Sequence, residues 1–430
     1  MTIWRRKSSV HKWLPRERKP SWGKPPRAMG RLAPRLALAA DGLASPPDDL
    51  PVRFGDCLFT DDILALFPRG AALDDELIAD TLLALRAREA HLFGFTPAAQ
   101  GIVRMPADFE PVESIRLVYP GWRDHDDFYG QILAGVVGQG IVHIHLLFPG
   151  DRQNLIALLR RFEIDPGAVQ IHLNLTIDSI WVRDYGPISI LVDGQRVFID
   201  GRYNVDCVHD DAMPSRLAAI DATPLVRPPL LLEGGNLLSD GRGTGFTTHH
   251  LAEVNHLREE ELAWMLDRYL GFEQLIFLEP LIGDVIEHVD MFLSVADEQT
   301  LLLGQADPML DPDNYVMLEE NADRLSQLRT AAGTPYRIVR VPMPPPLPHN
   351  PANGMSNMVR SYLNLVPFNG VVLVPTFSGD LNLEALALAR IADAFPRRRV
   401  IPIHADGIAP SYGTIHCVTQ TTPARPLKKP

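Results

Sequence analysis

Four short segments hold residues whose types could do chemistry together. Cys417 lies in Gly-Thr-Ile-His-Cys-Val-Thr-Gln at 413–420, among small and polar neighbours that suit an accessible thiol better than a sealed one. Most free cysteines are inert core residues, so Cys417 alone would read as packing. His288 and Asp290 lie in Asp-Val-Ile-Glu-His-Val-Asp-Met-Phe at 284–292. If a strand begins at Val289, the two side chains share a face and set a proton carrier beside an anion. A His-x-Asp pair can also ligate a metal, but no cysteine or further histidine stands at a usual short ligand spacing, so no metal is expected. Asp184, in Trp-Val-Arg-Asp-Tyr-Gly-Pro at 181–187, sits between an apolar run and a Gly-Pro turn, where a carboxylate can face a cleft or simply pair with Arg183. Glu233 precedes Gly-Gly-Asn at 234–236, and paired glycines permit positive φ and close backbone approach. A hairpin glycine pair beside a surface acid is the competing reading.

Together these pieces fit one chemical problem. A guanidinium is planar, weakly electrophilic and donates hydrogen bonds in a fixed fork that carboxylates match. Two carboxylates gripping its edges localise the cation, and a cysteine thiolate is a good nucleophile for its central carbon. Ammonia leaves only when protonated, so a histidine must supply a proton and later take one from water.

The elements that must position these residues follow from the apolar runs. Short runs rich in Val, Ile and Leu alternate with helical stretches from about residue 103. Strands are expected at 114–118, 141–147, 169–175, 188–192, 197–199, 274–278, 291–296, 300–305, 336–341, 359–365, 370–375, 400–402 and 415–418, and helices at 152–162, 251–270, 314–328 and 381–395. This is an α/β pattern whose strands are too short for a simple doubly wound sheet. Strand and helix recur at intervals of about 50 to 70 residues. The proline-rich stretch 341–348 predicts a stiff extended connection.

Ahead of this domain, residues 1–28 carry nine Lys or Arg against the single acid Glu17, with Pro15, Pro20, Pro25 and Pro26 interrupting any helix. Residues 1–53 are expected to be a disordered basic tail, or an upstream extension ahead of a start near Met29. Residues 54–102 predict a small helical region, with helices at 61–67 and 75–91. The α/β domain is expected over 103–421, with a short tail at 422–430.

The chain has 430 residues, 46% of them apolar, and a formal net charge of −12, which disfavours a surface that wraps nucleic acid and favours small cations. Three cysteines, Cys57, Cys207 and Cys417, predict no disulfide scaffold and a reducing compartment. Without a spanning apolar segment or a secretory signal, no membrane association and a cytoplasmic location are expected.

Taken in order, Trp-x-Arg-Asp-x-Gly-Pro at 181–187, Glu-Gly-Gly-Asn at 233–236, His-Val-Asp at 288–290, Ser-Tyr-Leu-Asn at 361–364 and the Cys417 segment resemble the agmatine deiminase and bacterial peptidylarginine deiminase family. Met-Pro-Ala-Asp-Phe-Glu-Pro at 105–111 resembles the start of that domain, and the likeness spans about residues 103–421. It implies a pseudo-fivefold α/β-propeller. By the resemblance, Cys417 is the nucleophile, His288 the general acid and then base, and Glu233 its orienting partner. Asp184 and Asp290 would hold the guanidinium, Trp181 would line the pocket, Asn364 would lie near the nucleophile, and Asp284 would contact substrate. No cofactor is implied. The expected product is ureido, formed through an S-alkylthiouronium intermediate, and the expected partner is a small cationic guanidino substrate. Self-association into a homo-oligomer stays open.

The chain also departs from its relatives. Glu287 stands where many have glycine before His-Val-Asp, and Ser411-Tyr412-Gly413-Thr414 replaces a run of glycines. Tyr185 is closer to the peptidylarginine type, yet residues 203–207 lack arginines to clamp a peptide carboxylate. Agmatine is therefore the first expectation, and peptidyl or free arginine the second. Amidino transfer to an amine and a catalytically silent binding scaffold complete the set.

Overall fold

A computed structural model of the chain describes residues 52–54, 57–59, 75–203, 207–350 and 355–425. Five sheets of the α/β part share one pattern. In each, an edge strand runs antiparallel to a middle strand, and a third strand returns parallel to the middle one after a helical crossover, as parallel pairing requires. Three of these units are Leu238–Ser239, Thr244–Thr248 and Gln274–Leu278; Leu293–Asp297, Thr300–Gln305 and Arg337–Pro342; and Val366–Phe368, Val371–Thr376 and Arg399–His404. Ile188–Val192, Gln195–Ile199 and Leu225–Val226 form the fourth, extended by Val103–Arg104. In the fifth, the late strand Thr419–Pro423 lies antiparallel to the early strand Val112–Tyr119, followed by Ile141–Leu146 and Gln170–His172. One strand–strand–helix–strand unit thus accounts for the recurrence in the sequence.

Middle strands are buried on both faces, which is why they read as near-continuous apolar runs; every residue of Val371–Thr376 is buried. Crossover helices cover them with one apolar stripe each. Leu381–Ala394 buries Ala387, Ile391 and Ala394, and its N-cap Asp380 accepts the amides of Asn382 and Leu383. Glu259–Leu270 ends at Gly271, whose φ of 76° needs glycine.

Several expectations change. Residues 289–291, 361–365 and 415–418 are turns rather than strands, with the real strands starting just after them. Their apolar members, such as Val289, Ile415 and Val418, are fully buried all the same, so burial in a four-residue window could not separate turn from strand. The helix expected at 251–270 is two, His250–Val254 and Glu259–Leu270, and the strand at 169–175 shrinks to Gln170–His172. Helices Asp126–Val136, Val208–Asp211 and Met213–Ile220 were not foreseen. In the region read as helical from residue 54, Val52–Phe54 and Cys57–Phe59 pair as an antiparallel hairpin before the helices Asp75–Arg88 and Ala90–Phe93. The helix expected at 61–67 lies outside the described residues. Cys207 is disulfide-bonded, although the three cysteines predicted no disulfide scaffold. Among the described residues, no helix is long and apolar enough to cross a membrane.

Candidate active site

Each of the five motifs occupies the same place in its unit, the turn that enters the strand antiparallel to the middle one. Val182–Tyr185 precedes Ile188–Val192, Gly234–Asn236 precedes Leu238–Ser239, and Val289–Met291 precedes Leu293–Asp297. Residues 361–364 precede Val366–Phe368, and 413–418 precede Thr419–Pro423.

Backbone contacts fasten these turns to one another. The Arg183 amide donates to the Cys417 carbonyl at 3.1 Å, and its Nε donates to the carbonyls of His416 at 3.3 Å and Thr419 at 3.0 Å. Gly234 and Gly235 serve close approach and not positive φ, since neither has a left-handed backbone. A Cβ on Gly234 would lie 2.1 Å from the Arg183 carbonyl oxygen. The Gly235 amide donates to Asp184 Oδ1 at 3.1 Å. Buried Asn236 ties this turn to the next one, its Oδ1 accepting the amides of Thr248 and Val289, each at 3.1 Å. Asn236→Ala should therefore strand two buried amides and cost about 2–3 kcal/mol. Urea unfolding measures this, and a loss below roughly 0.5 kcal/mol would show that the suture is dispensable.

Asp284, expected to contact substrate, has both oxygens on the backbone of its own loop. Its Oδ1 accepts the Ile286 amide at 3.2 Å and its Oδ2 the His288 amide at 3.1 Å. Glu287 adopts a left-handed φ of 56°, a conformation that suits the glycine of the relatives, and its carboxylate pairs with His250 Nδ1 at 3.2 Å.

The fully buried His288 is held between acids. Its Nε2 meets Glu233 Oε2 at 2.9 Å, while Nδ1 lies 3.6 Å from Asp184 Oδ1. Burial opposes its charge, but Asp184, Glu233 and Asp290 outweigh that and raise its pKa to about 10. Burial would raise the Glu233 pKa, but the hydrogen bond and charge of His288 bring it below the usual value. Asp184 moves the other way, to about 7, because burial and the Glu233 and Asp290 carboxylates overcome the attraction of His288. Even with the His416 ring on Asp290, two imidazole rings cannot satisfy three carboxylates, so this side of the site is short of positive charge.

Cys417 faces the same acids. It is fully buried, against the expectation of an accessible thiol, but its surroundings are polar. Asn364 Nδ2 donates to its Sγ at 3.2 Å, and the thiol points to Asp290 Oδ2 at 3.8 Å. Burial, then the charges of Asp290 and Asp184, push its pKa well above the ordinary thiol value. Asn364 Oδ1 organises the nucleophile turn by accepting the amides of Thr414 and His416, both at 3.1 Å, and the Thr414 hydroxyl at 2.7 Å. The Trp181 ring and the thiol flank Gly413, where a Cβ would meet Trp181 Cζ3 at 2.6 Å and Cys417 Sγ at 3.0 Å. Two buried polar atoms, His288 Nδ1 and Asp290 Oδ1, have no hydrogen-bond partner among the described residues.

Residues 104–423 match the Porphyromonas-type peptidyl-arginine deiminase family. The chain belongs to that family. Deiminases of this kind hydrolyse a guanidino carbon–nitrogen bond. The chain is 28% identical over 369 residues to the agmatine deiminase of Pseudomonas aeruginosa, covering 76% of this chain and 97% of the relative. A solved structure from Porphyromonas gingivalis superposes with a TM-score of 0.67 at 27% identity, covering 75% of this chain and 98% of that one. The agmatine deiminase of Enterococcus faecalis shares the fold, with a TM-score of 0.66 at 23% identity over 77% of this chain and 100% of the other.

Two residues of this deiminase had no assigned role in the sequence. His416 Nδ1 meets Asp290 Oδ2 at 2.6 Å and its Nε2 meets Asp108 Oδ2 at 3.1 Å, and Asp108 pairs with Arg183 at 3.6 Å. Neither His288 nor Asp290 falls in the two side-chain groups spaced to share a metal ion among the described residues, which are Asp178, Cys207 and Asp210, and His250, Glu253 and Glu287. In the first, Cys207 is disulfide-bonded and Asp210 already accepts the Asp178 amide and the Ser179 hydroxyl.

Proposed function

We propose that this protein is a cysteine-dependent guanidine deiminase that releases ammonia from agmatine and leaves N-carbamoylputrescine, with its five sheets set as a pseudo-fivefold propeller around the site. One observation carries the reading. Cys417 lies among Asp184, Asp290 and His288, where negative charge exceeds positive and where one acid oxygen and one imidazole nitrogen await partners.

A guanidinium between Asp184 and Asp290 supplies the missing charge. The same cation stabilises a thiolate at Cys417, which burial and the nearby acids alone disfavour, so the thiol loses its proton to solvent as substrate docks. Sγ attacks the central carbon, and the protonated His288, held from behind by Glu233, donates from Nδ1 to the departing amine. The carbon–nitrogen bond breaks and ammonia leaves. Neutral His288 then takes a proton from water, which attacks the thiouronium carbon and expels the thiolate. The balance is one water consumed, one ammonia released and a ureido product.

Similarity to the agmatine deiminase of P. aeruginosa over nearly its whole length supports the choice of agmatine. The acid-rich surroundings, with Glu287 and Glu253 beside His250, also favour a dication over an amino acid carboxylate. Ammonia release should be compared for agmatine, free arginine and an arginine peptide. Agmatine should lead in kcat/KM by about 100-fold. A faster peptide would replace the substrate assignment, and no release above the Cys417→Ala background from any of the three would refute the activity. Because the Asp184 pKa is raised to about 7, kcat/KM should fall as pH drops through that value and the carboxylate is neutralised. Asp184→Asn should lack this limb of the profile.

A further inference from the structure

We propose that Asp108, His416 and Arg183 form a positioning relay that orients Asp290 toward substrate and conditions the Cys417 thiol. The idea deepens the deiminase reading and rests on it for the substrate, but not for the thiol.

The two oxygens of Asp290 have different surroundings. Oδ2 accepts from His416 Nδ1 at 2.6 Å and from Asn364 Nδ2 at 3.1 Å, and it is the oxygen that the Cys417 thiol approaches at 3.8 Å. Oδ1 has no partner among the described residues. A carboxylate rotates freely about its last bond unless one oxygen is held, so the His416 contact decides which oxygen stays free for a guanidinium N–H. His416 is itself held by a second acid. Its ring lies between two carboxylates, Asp290 on Nδ1 and Asp108 on Nε2, and a neutral imidazole has one N–H to offer. Both contacts are favourable only when the ring carries two protons and a positive charge. Asp108 thereby makes His416 an imidazolium, placed one residue before the nucleophile.

Arg183 completes the sequence of alternating charges. It faces Asp108 at 3.6 Å and holds the carbonyls of His416 and Thr419, which flank Cys417 on either side. Asp108 comes from the opening segment of the domain, 308 residues before His416, so the relay ties the two ends of the α/β part to one side chain. The charged groups facing His416 are Asp290, Asp108 and Arg183, with Arg398 acting on Asp108 from outside. Glu233 and His288 do not touch His416, so the relay reaches the acid–base pair only through Asp290.

The test uses the full chain with His416→Gln, which keeps one donor but no charge, and Asp108→Asn, which keeps the shape of the partner. Folding is followed by thermal melting. Turnover of agmatine and, without substrate, the pH profile of Cys417 alkylation by iodoacetamide are the readouts. Each variant should lose roughly 100-fold in kcat/KM, as expected for a reactive group set about 1 Å out of place. The alkylation profile should move to higher pH by about one unit, since a cation near the thiol has been removed or weakened. Asp108→Asn, the gentler change, serves should His416→Gln not fold. Variants that fold and keep kcat/KM within about 2-fold overturn the proposal. So does lost activity with lowered melting and an unmoved alkylation profile, which would mark a purely structural network. Alkylation needs no turnover, so the relay remains testable even if no guanidine is hydrolysed.

Discussion

Cys417→Ala should release no measurable ammonia from agmatine, a loss of at least about 10⁴-fold, while the protein stays folded and still binds the substrate. The loss follows from chemistry that no neighbour can replace. Among the groups around the thiol, Asp184 and Asp290 are needed as anions, Asn364 is neutral, and His288 carries the proton for the leaving group. Binding should survive because the cation is held by carboxylates that the substitution leaves alone. Stability supplies an independent check with a definite sign. The wild-type thiol has a folded pKa above its unfolded value of 9.0, so the unfolded state ionises first and wild-type stability declines as pH rises above 9.0. The alanine variant lacks that term and should hold its melting temperature better at alkaline pH. Calorimetric titration with agmatine, an ammonia assay and melting curves from pH 8 to about 10.5 measure all three. Wild-type turnover by the variant would remove Cys417 from the mechanism.

The sequence was most legible where side-chain type alone determines chemistry or where burial on both faces imposes a run. Strands Ile188–Val192, Gln274–Leu278 and Thr300–Gln305 stand where their apolar runs lie. Asp184, Glu233, His288, Asp290 and Cys417 stood out because acids, an imidazole and a thiol interrupt such runs; Asn364 came from the family resemblance alone, and the fold brings all six together. What could not be read is the backbone between run and strand. A turn that buries Ile415 and Val418 has the same apolar positions as a short strand, and the two differ only in contacts made by distant residues. Asp284 shows the same limit. As a residue type it is a ligand for a cation, yet the amides of its own loop occupy both oxygens. Asp108 and His416 went unassigned because each gains meaning only from the other. Helix Asp126–Val136 was available in principle, since Phe128, Tyr129, Ile132, Leu133 and Val136 repeat at helical spacing.

A single methyl group should do nearly as much damage as removing the nucleophile. Gly235→Ala is expected to lower kcat/KM by about 10³-fold, or about 4 kcal/mol of transition-state stabilisation, with the fold retained. The added Cβ would lie 2.7 Å from Asp184 Oδ1, 2.7 Å from His288 Nδ1 and 3.1 Å from Asp290 Oδ2, so it enters the space where the two acids and the proton donor converge. All three atoms end side chains, and a free side chain would swing aside at little cost. These are not free. Asp290 is held by His416 and Asn364, His288 by Glu233, and Asp184 by the Gly235 amide itself. Any movement that relieves the clash must break one of those contacts or displace the groups that face the substrate. Backbone strain is not the cause, because Gly235 is not in the left-handed region. Its neighbour provides the contrast. On Gly234 a Cβ would meet the Arg183 carbonyl at 2.1 Å, and that backbone is fastened to the nucleophile turn. Gly234→Ala should therefore unfold at much lower urea, while Gly235→Ala should lose less stability and fail in turnover. Activity of Gly235→Ala within about tenfold of wild type would mean that the acids and the imidazole do not meet where the cation must lie.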